Sequence, residues 1–227
     1  METSGNRWTD LWQRLGVTAP SLAAAGASVA LAYGETARFY HNITHLMDVL
    51  EKLDWAKDAL DVSGELAGLG DTDKKKLFDT VELALWYHDA VYDAKAKDNE
   101  ARSRDLFLSH AQKFGLADPL QKEIAALIDL TAHHRTAKTL PECILVDCDL
   151  AILGAPKAEF DAYDRNIRKE YAHVPEPLYK KVRRGVLKGF LNQPQIFKTA
   201  AFRARFEEQA RVNLKAATAG IFSRLFG

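Results

Sequence analysis

Only two cysteines occur in the 227 residues, Cys143 and Cys148, five apart in an apolar segment. That spacing fits neither a CxxC redox pair nor a zinc ribbon, and helical residues five apart point to different faces. Both are expected to be reduced, small core residues. Charge of either sign is not in excess: Lys+Arg and Asp+Glu each total 31, for a formal net charge of zero. Nucleic-acid binding depends on phosphate neutralisation, so a chain without basic surplus gives it no general support. Long apolar runs are also missing. The nearest approach, Ala19 to Tyr33, is broken by Pro20, Ser21, Gly26 and Ser28 and has no basic leader. It is too short and too interrupted for a membrane span or an export signal, so a cytoplasmic protein without membrane association is expected. Repeats, low-complexity tracts and Pro/Gly/Ser-rich linkers are lacking too, which leaves nothing to divide the chain into domains.

What is present is helical periodicity over 47% hydrophobic content, enough for a sizeable core. Trp8, Leu11, Trp12 and Leu15 repeat at helical spacing up to Gly16. A second helix is predicted from Gly34 or Glu35 to Leu53, and a glycine-containing loop from Asp61 to Asp73. Further helices are predicted through Leu77, Val81, Leu85 and His88, from Asp98 toward Gly115, and through Ile124, Leu127, Ile128 and Thr131. Thr139-x-x-Glu142 is a capping box opening a helix that carries Val146, Asp149, Leu150 and Leu153 and stops at Gly154-Ala-Pro156. Three more follow over 160–171, 178–191 and 198–217. The fold class expected is all-α, a single helical bundle. Within it, residues 1–33 supply N-terminal helices, 34–154 a central core and 155–227 the C-terminal helices.

Polar residues recur in this apolar frame. On the helix predicted from Gly34 or Glu35, which carries FYHNITHLMDVL, Arg38, His41, His45 and Asp48 form one polar stripe, with Phe39, Ile43, Leu46 and Leu50 on a different, apolar side. Either histidine alone has an ordinary structural reading. In LALWYHDAVYD, His88 and Asp89 follow an inward apolar face, and burying that pair requires a mutual hydrogen bond or a shared cation. In ILVDCDLAILG, packing through Val146, Leu150 and Leu153 turns Asp149 toward the core and Asp147 away, which makes Asp149 the better candidate ligand. In LIDLTAHHRT, His134 is in phase with Leu127 and Thr131, while His133 falls on the flank.

The order His, then His-Asp, then Asp on separate helices resembles the HD superfamily of metal-dependent phosphohydrolases. His45, His88, Asp89 and Asp149 match its metal-binding motif in order. Tyr40-His41-Asn42-x-x-His45 is similar to a stretch of the cyclic-nucleotide phosphodiesterases, as is Cys148-Asp149-Leu150. HDAVYD, Asn99-Glu100-x-x-Ser103 and Arg168-x-Glu170-Tyr171 resemble features of small stand-alone bacterial HD-type phosphohydrolases. The likeness runs from about Trp8 to Leu214 and implies an HD-type helical bundle. It implies His45, His88, Asp89 and Asp149 as metal ligands, with Asp89 catalytic through the metal, and His41 as proton donor to the leaving oxygen. One departure is that the phosphodiesterases carry a further histidine shortly after HD, where this chain has Tyr92-Asp93. A second metal therefore lacks that ligand, and His134 is left as a substitute ligand, a phosphate contact or a core residue.

The activity implied is hydrolysis of a phosphate mono- or diester, with nucleotides among the candidate substrates, by water activated on a divalent ion: Mn, Fe, Zn, Co or Mg. A small phosphorylated molecule is the partner expected. Arg38 is placed either to hold a phosphate oxygen or to pair with Glu35. Glu100 either orients water or opens a helix. Lys180, Lys181, Arg183, Arg184 and Lys188 form either a solvated helix face or a phosphate-facing rim. A di-iron oxygenase of HD fold and a metal- or nucleotide-binding regulatory module without turnover are the alternative functions.

Overall fold

The computed structural model describes residues 4–219, so the outer ends of the expected 1–33 and 155–227 segments lie outside it. The chain is all-helical, and no strand occurs among the described residues. No helix is long and apolar enough to cross a membrane among those residues.

The centre is α4, Asp71–Tyr87, in which every residue from Phe78 to Tyr87 is buried. A stretch buried on every side must be covered on every side, and the Asp79 and Glu82 within it are paired with Arg7 and Arg14. Helix α3 (Ile43–Val62), α6 (Asp118–Leu130) and α7 (Leu140–Leu150) pack directly on α4, and α5 (Asn99–Phe114) packs on α6. The N-terminal pair α1 (Ser4–Arg14) and α2 (Leu22–Ala32) closes one end. There Trp8 meets the edge of Trp86 at 5.3 Å between centroids, and its indole N–H donates to the Leu22 carbonyl. Gly26 permits this approach: a Cβ on it would sit 2.7 Å from the Trp8 ring.

The capping box of α7 forms as read from the sequence, with Thr139 and Glu142 satisfying each other's backbone N–H groups. Gly115 ends α5 in the left-handed conformation, at φ 74°. Helices α8 (Lys157–Glu170) and α9 (Glu176–Leu191) follow. The last passage runs as α10 (Ala200–Phe202), a π-turn over Arg203–Glu207 and α11 (Glu208–Thr218). Residues from Trp8 to Leu214 share one buried apolar cluster.

One expected element differs in a way that matters for the site. The helix predicted from Gly34 or Glu35 begins only at Ile43 and extends to Val62. Asn42 is its N-cap, with extended backbone and a side-chain oxygen that accepts from Thr44 N–H at 2.9 Å. Residues 38–42 are therefore a turn. Arg38, His41, His45 and Asp48 do not form one helical stripe. Asp48 instead pairs with Lys52 on the rim of α3, at 2.9 Å. Phe39 and Ile43, expected on an apolar side, are exposed.

Candidate metal centre

Three segments converge at the end of α4. His45 comes from the first turn of α3, and His88 caps the C-terminus of α4 with Asp89 in the turn beyond. Asp149 lies near the end of α7. The side chains of His45 and His88 are each 1% exposed, those of Asp89 and Asp149 each 15%. The two Nε2 atoms lie 3.1 Å apart. Asp89 Oδ2 is 3.1 Å from His88 Nε2 and 3.5 Å from His45 Nε2, and Asp149 Oδ1 is 3.4 Å from His45 Nε2. Donor atoms of His45, His88 and Asp149 all lie within 4.8 Å of one another.

These spacings fit one divalent ion. Two ligand atoms about 2.1 Å from an ion lie about 3.0 Å apart at a right angle and about 3.4 Å apart at the tetrahedral angle. The ring orientation fits as well. His88 Nδ1 is 2.7 Å from the Leu85 carbonyl, which can only accept, so the proton sits on Nδ1 and the Nε2 lone pair faces the cluster. A lone pair aimed at carboxylates calls for a positive charge between them. Burial opposes charge on His45, yet hydrogen bonding to Asp149 and Asp89 raises its pKa to about 10. His88 is raised too, with burial opposing and the charge of Asp89 prevailing. Asp89 and Asp149 are held below the usual carboxylate range, because the histidines outweigh the opposing effect of burial. The two carboxylates thus favour positive charge beside them. His45, His88 and Asp149 could hold a metal ion.

The two aspartates of α7 divide sharply. Asp149 splits its oxygens, Oδ1 toward His45 and Oδ2 to His134 Nε2 at 2.6 Å. Asp147 faces away from the centre, but it is fully buried, contrary to the expectation that it turns out of the core. It accepts from the Lys198 N–H, the Thr199 N–H and the Thr199 hydroxyl, at 2.7, 2.8 and 2.8 Å. The packed surface there comes from the C-terminal passage, which local spacing could not reveal. His134 reaches Asp149 from a 3₁₀ turn over Thr131–Thr136, whose backbone leaves helical geometry at His133 (φ −140°, ψ 51°). It does not continue α6 as its phase with Leu127 implied.

Of the two placements expected for Arg38, the structure has the pair with Glu35, at 3.0 Å. It is buried, and its donors go to Glu35, the His41 carbonyl, the Asp89 carbonyl and the Ala90 carbonyl. It therefore ties the 38–42 turn to the His-Asp turn and has no free edge for phosphate. Glu100 lines the cavity beside the centre. Its neighbours in the motif have structural work: Asn99 accepts from Asp93 N–H, and Ser103 accepts from Val91 N–H, each at 3.0 Å. Together they fix the chain just after Asp89.

Glu170 is the residue whose role sequence reasoning missed. Its side chain is fully buried. One oxygen accepts the backbone N–H groups of Tyr40 and His41, and the other lies 2.7 Å from His41 Nδ1 and accepts from the Tyr92 hydroxyl at 3.0 Å. Burial would raise the Glu170 pKa, but the His41 side chain and these N–H groups hold it below its ordinary value. An ionised carboxylate only accepts, so His41 carries its proton on Nδ1 and keeps Nε2 for the cavity it lines. The Tyr92 ring stacks on the imidazole at 4.2 Å between centroids. The only signal in the sequence was membership of Arg168-x-Glu170-Tyr171. Arg168 itself pins the next turn through the Tyr171 and Val174 carbonyls.

Two cavities open beside the centre and share His41, His134 and Asp149. One, about 370 Å³, is polar and includes His88, Asp89, Lys97 and Glu100. The other, about 710 Å³, is walled mainly by aromatic and aliphatic side chains. No protein-family model, curated protein or solved structure matches the chain.

Proposed function

We propose that the protein is a divalent-metal-dependent phosphohydrolase acting on a phosphate mono- or diester. The observation that carries this reading is the convergence of His45, His88, Asp89 and Asp149 beside a second, separately held imidazole, His41. His45, His88, Asp89 and Asp149 would hold the ion, and mixed imidazole and carboxylate donors suit Mn, Fe, Zn, Co or Mg. The ion supplies Lewis acidity toward water and a phosphoryl oxygen.

The chain's own residues do the rest. Glu170 and Tyr92 fix the His41 ring with Nε2 toward the cavity, where it can pass a proton to a departing alkoxide; a placed acid of this sort contributes ~10²–10⁴ in rate. Lys97, exposed on the wall of the polar cavity, brings positive charge toward the phosphoryl oxygens in place of the committed Arg38. His134 holds Asp149 in position through its outer oxygen.

The test is metal analysis of the purified protein combined with a panel of phosphomonoester and phosphodiester substrates. His88→Ala and Asp89→Ala are expected to lose both metal and turnover. His41→Ala should retain metal and slow hydrolysis, least for esters with good leaving groups. Unchanged metal content and turnover in the first two variants would overturn the reading.

A further inference from the structure

Helix α9 has more apolar surface than its packing uses. It packs on α11, and Leu187 is its buried apolar side chain. One such face is enough to hold an amphipathic helix in place. Leu178, Val182 and Val186 form a second row, four residues apart, and are 53%, 57% and 46% exposed. Val182 and Val186 line the larger cavity, as does Phe190 one turn further on. The row is therefore the lip of that cavity. Single exposed aliphatics are ordinary, but a continuous row leading into a cavity marks a surface that something apolar covers.

Inside, the wall stays apolar. Ile152, Leu153 and Ile167 line it as well, and the cavity reaches the candidate metal centre at His41 and Asp149. Polar side chains on the wall are committed to the protein. The Thr131 hydroxyl donates to the Ile128 carbonyl at 2.7 Å, and the Thr136 hydroxyl to the His133 carbonyl at 2.9 Å. Arg183 is the one lysine or arginine among the described lining residues. It donates to Asp164 at 2.9 Å and is hydrogen-bonded to Tyr163. Such a wall has no free cation for a second phosphate and little to read the polar edge of a ring. Its volume of about 710 Å³ has room for a chain of many methylenes.

We propose that the larger cavity takes an aliphatic chain, so that the substrate is a single-chain amphiphile, the phosphoester of a long-chain alcohol. Its phosphate sits at the metal centre and its chain leaves past Val182 and Val186. The link to turnover rests on the phosphohydrolase reading. The two ends of such a ligand match the two cavities, the polar one beside Lys97 and the apolar one beside α9. A methylene fully removed from water contributes about fourfold in affinity, so the aliphatic wall selects chain length without any directed hydrogen bond.

The methyl, butyl and octyl p-nitrophenyl phosphodiesters and the thymidine 5′-ester share one leaving group and test this below their micelle-forming concentrations. For the metal-loaded protein, kcat/KM is expected to rise about threefold per methylene from methyl to octyl, and the octyl ester should exceed the thymidine ester. Val186→Asp puts a charge on the exposed lip, away from the buried core, and should flatten that rise, whereas Val186→Leu should keep it. No rise with chain length, a preference for the thymidine ester, or an unchanged rise in Val186→Asp overturns the subsite. Methylphosphonate and octylphosphonate have no ester bond to cleave, and calorimetry reads their binding without turnover. Wild-type protein should bind the octyl compound about a hundredfold more tightly than the methyl compound, and Val186→Asp should narrow that ratio. Equal or undetectable affinity for the two overturns the subsite. Chain-length-selective phosphonate binding by a protein that hydrolyses none of the esters overturns the phosphohydrolase reading alone.

Discussion

Helix α4 and its end bury carboxylates in two places, and they are neutralised in opposite ways. Glu82, 1% exposed, lies between Arg7 at 2.7 Å and Arg14 at 3.4 Å, while Asp79 takes the other end of Arg14 at 2.8 Å. Seven residues later Asp89 meets only histidines, and Asp149 joins it on the same terms. A guanidinium carries its charge at every physiological pH, so the Glu82 cluster is complete as it stands. Imidazoles are neutral by default and their charge depends on the surroundings. Carboxylates answered by imidazoles are an unfinished account that a cation completes, and this contrast separates a structural ion cluster from a candidate metal site.

The contrast can be broken most directly at Asp149. A divalent ion at one hundred times its Kd is expected to stabilise the wild-type fold by about 2.7 kcal/mol. Asp149→Ala should lose that metal-dependent gain together with turnover. Denaturant unfolding of both proteins in Mn²⁺ or Zn²⁺ and in EDTA measures it. A metal-dependent gain of the same size in the variant would remove Asp149 from the ligand set.

Glu82→Gln sharpens the other side. It should lower stability by about 2 kcal/mol, because two guanidiniums lose an ionised acceptor. The loss is moderated by the partial exposure of those side chains, 21% for Arg7 and 30% for Arg14. The metal-dependent gain should be unchanged in this variant. A changed metal response would mean that the two clusters are coupled through α4.

Much of the frame was legible from local chemistry. The α7 capping box, the Gly115 stop and the start of α5 after Asp98 each depend on a few adjacent residues, and each forms. The start of α3 was misjudged although Asn42 is an ordinary N-cap residue, because the polar repeat of 38, 41, 45 and 48 mimicked a continuous helix. His45, His88, Asp89 and Asp149 were named from the sequence, and the fold brings their side chains together. Glu170 could not be tied to His41 in this way: 129 residues separate them, and no periodicity spans that gap. For Arg38 the local pair with Glu35 was legible, whereas its bonds to the Asp89 and Ala90 carbonyls, about fifty residues away, were not.

Asp147 supplies the mildest test, because it is a third kind of buried carboxylate, answered by backbone and hydroxyl donors instead of a cation. Burial pushes its pKa up to about 6 against the pull of the Lys198 and Thr199 donors. Its folded-state pKa therefore lies above its unfolded value. The stability it contributes is complete below about pH 4 and is lost as pH rises through about 6. Asn at this position cannot titrate, and it turns an N–H group toward a donor, so Asp147→Asn should be less stable than wild type at pH 4. The gap should then narrow by on the order of 1 kcal/mol toward pH 7, as the wild-type carboxylate ionises in its buried site. Paired denaturation curves across that range read the difference directly, with other titrating groups common to both proteins. Metal binding should be the same in both, since Asp147 faces the C-terminal passage. A gap that stays constant with pH would show that the donors of residues 198–199 keep Asp147 ionised throughout, and its place in the comparison would shift toward that of Glu82.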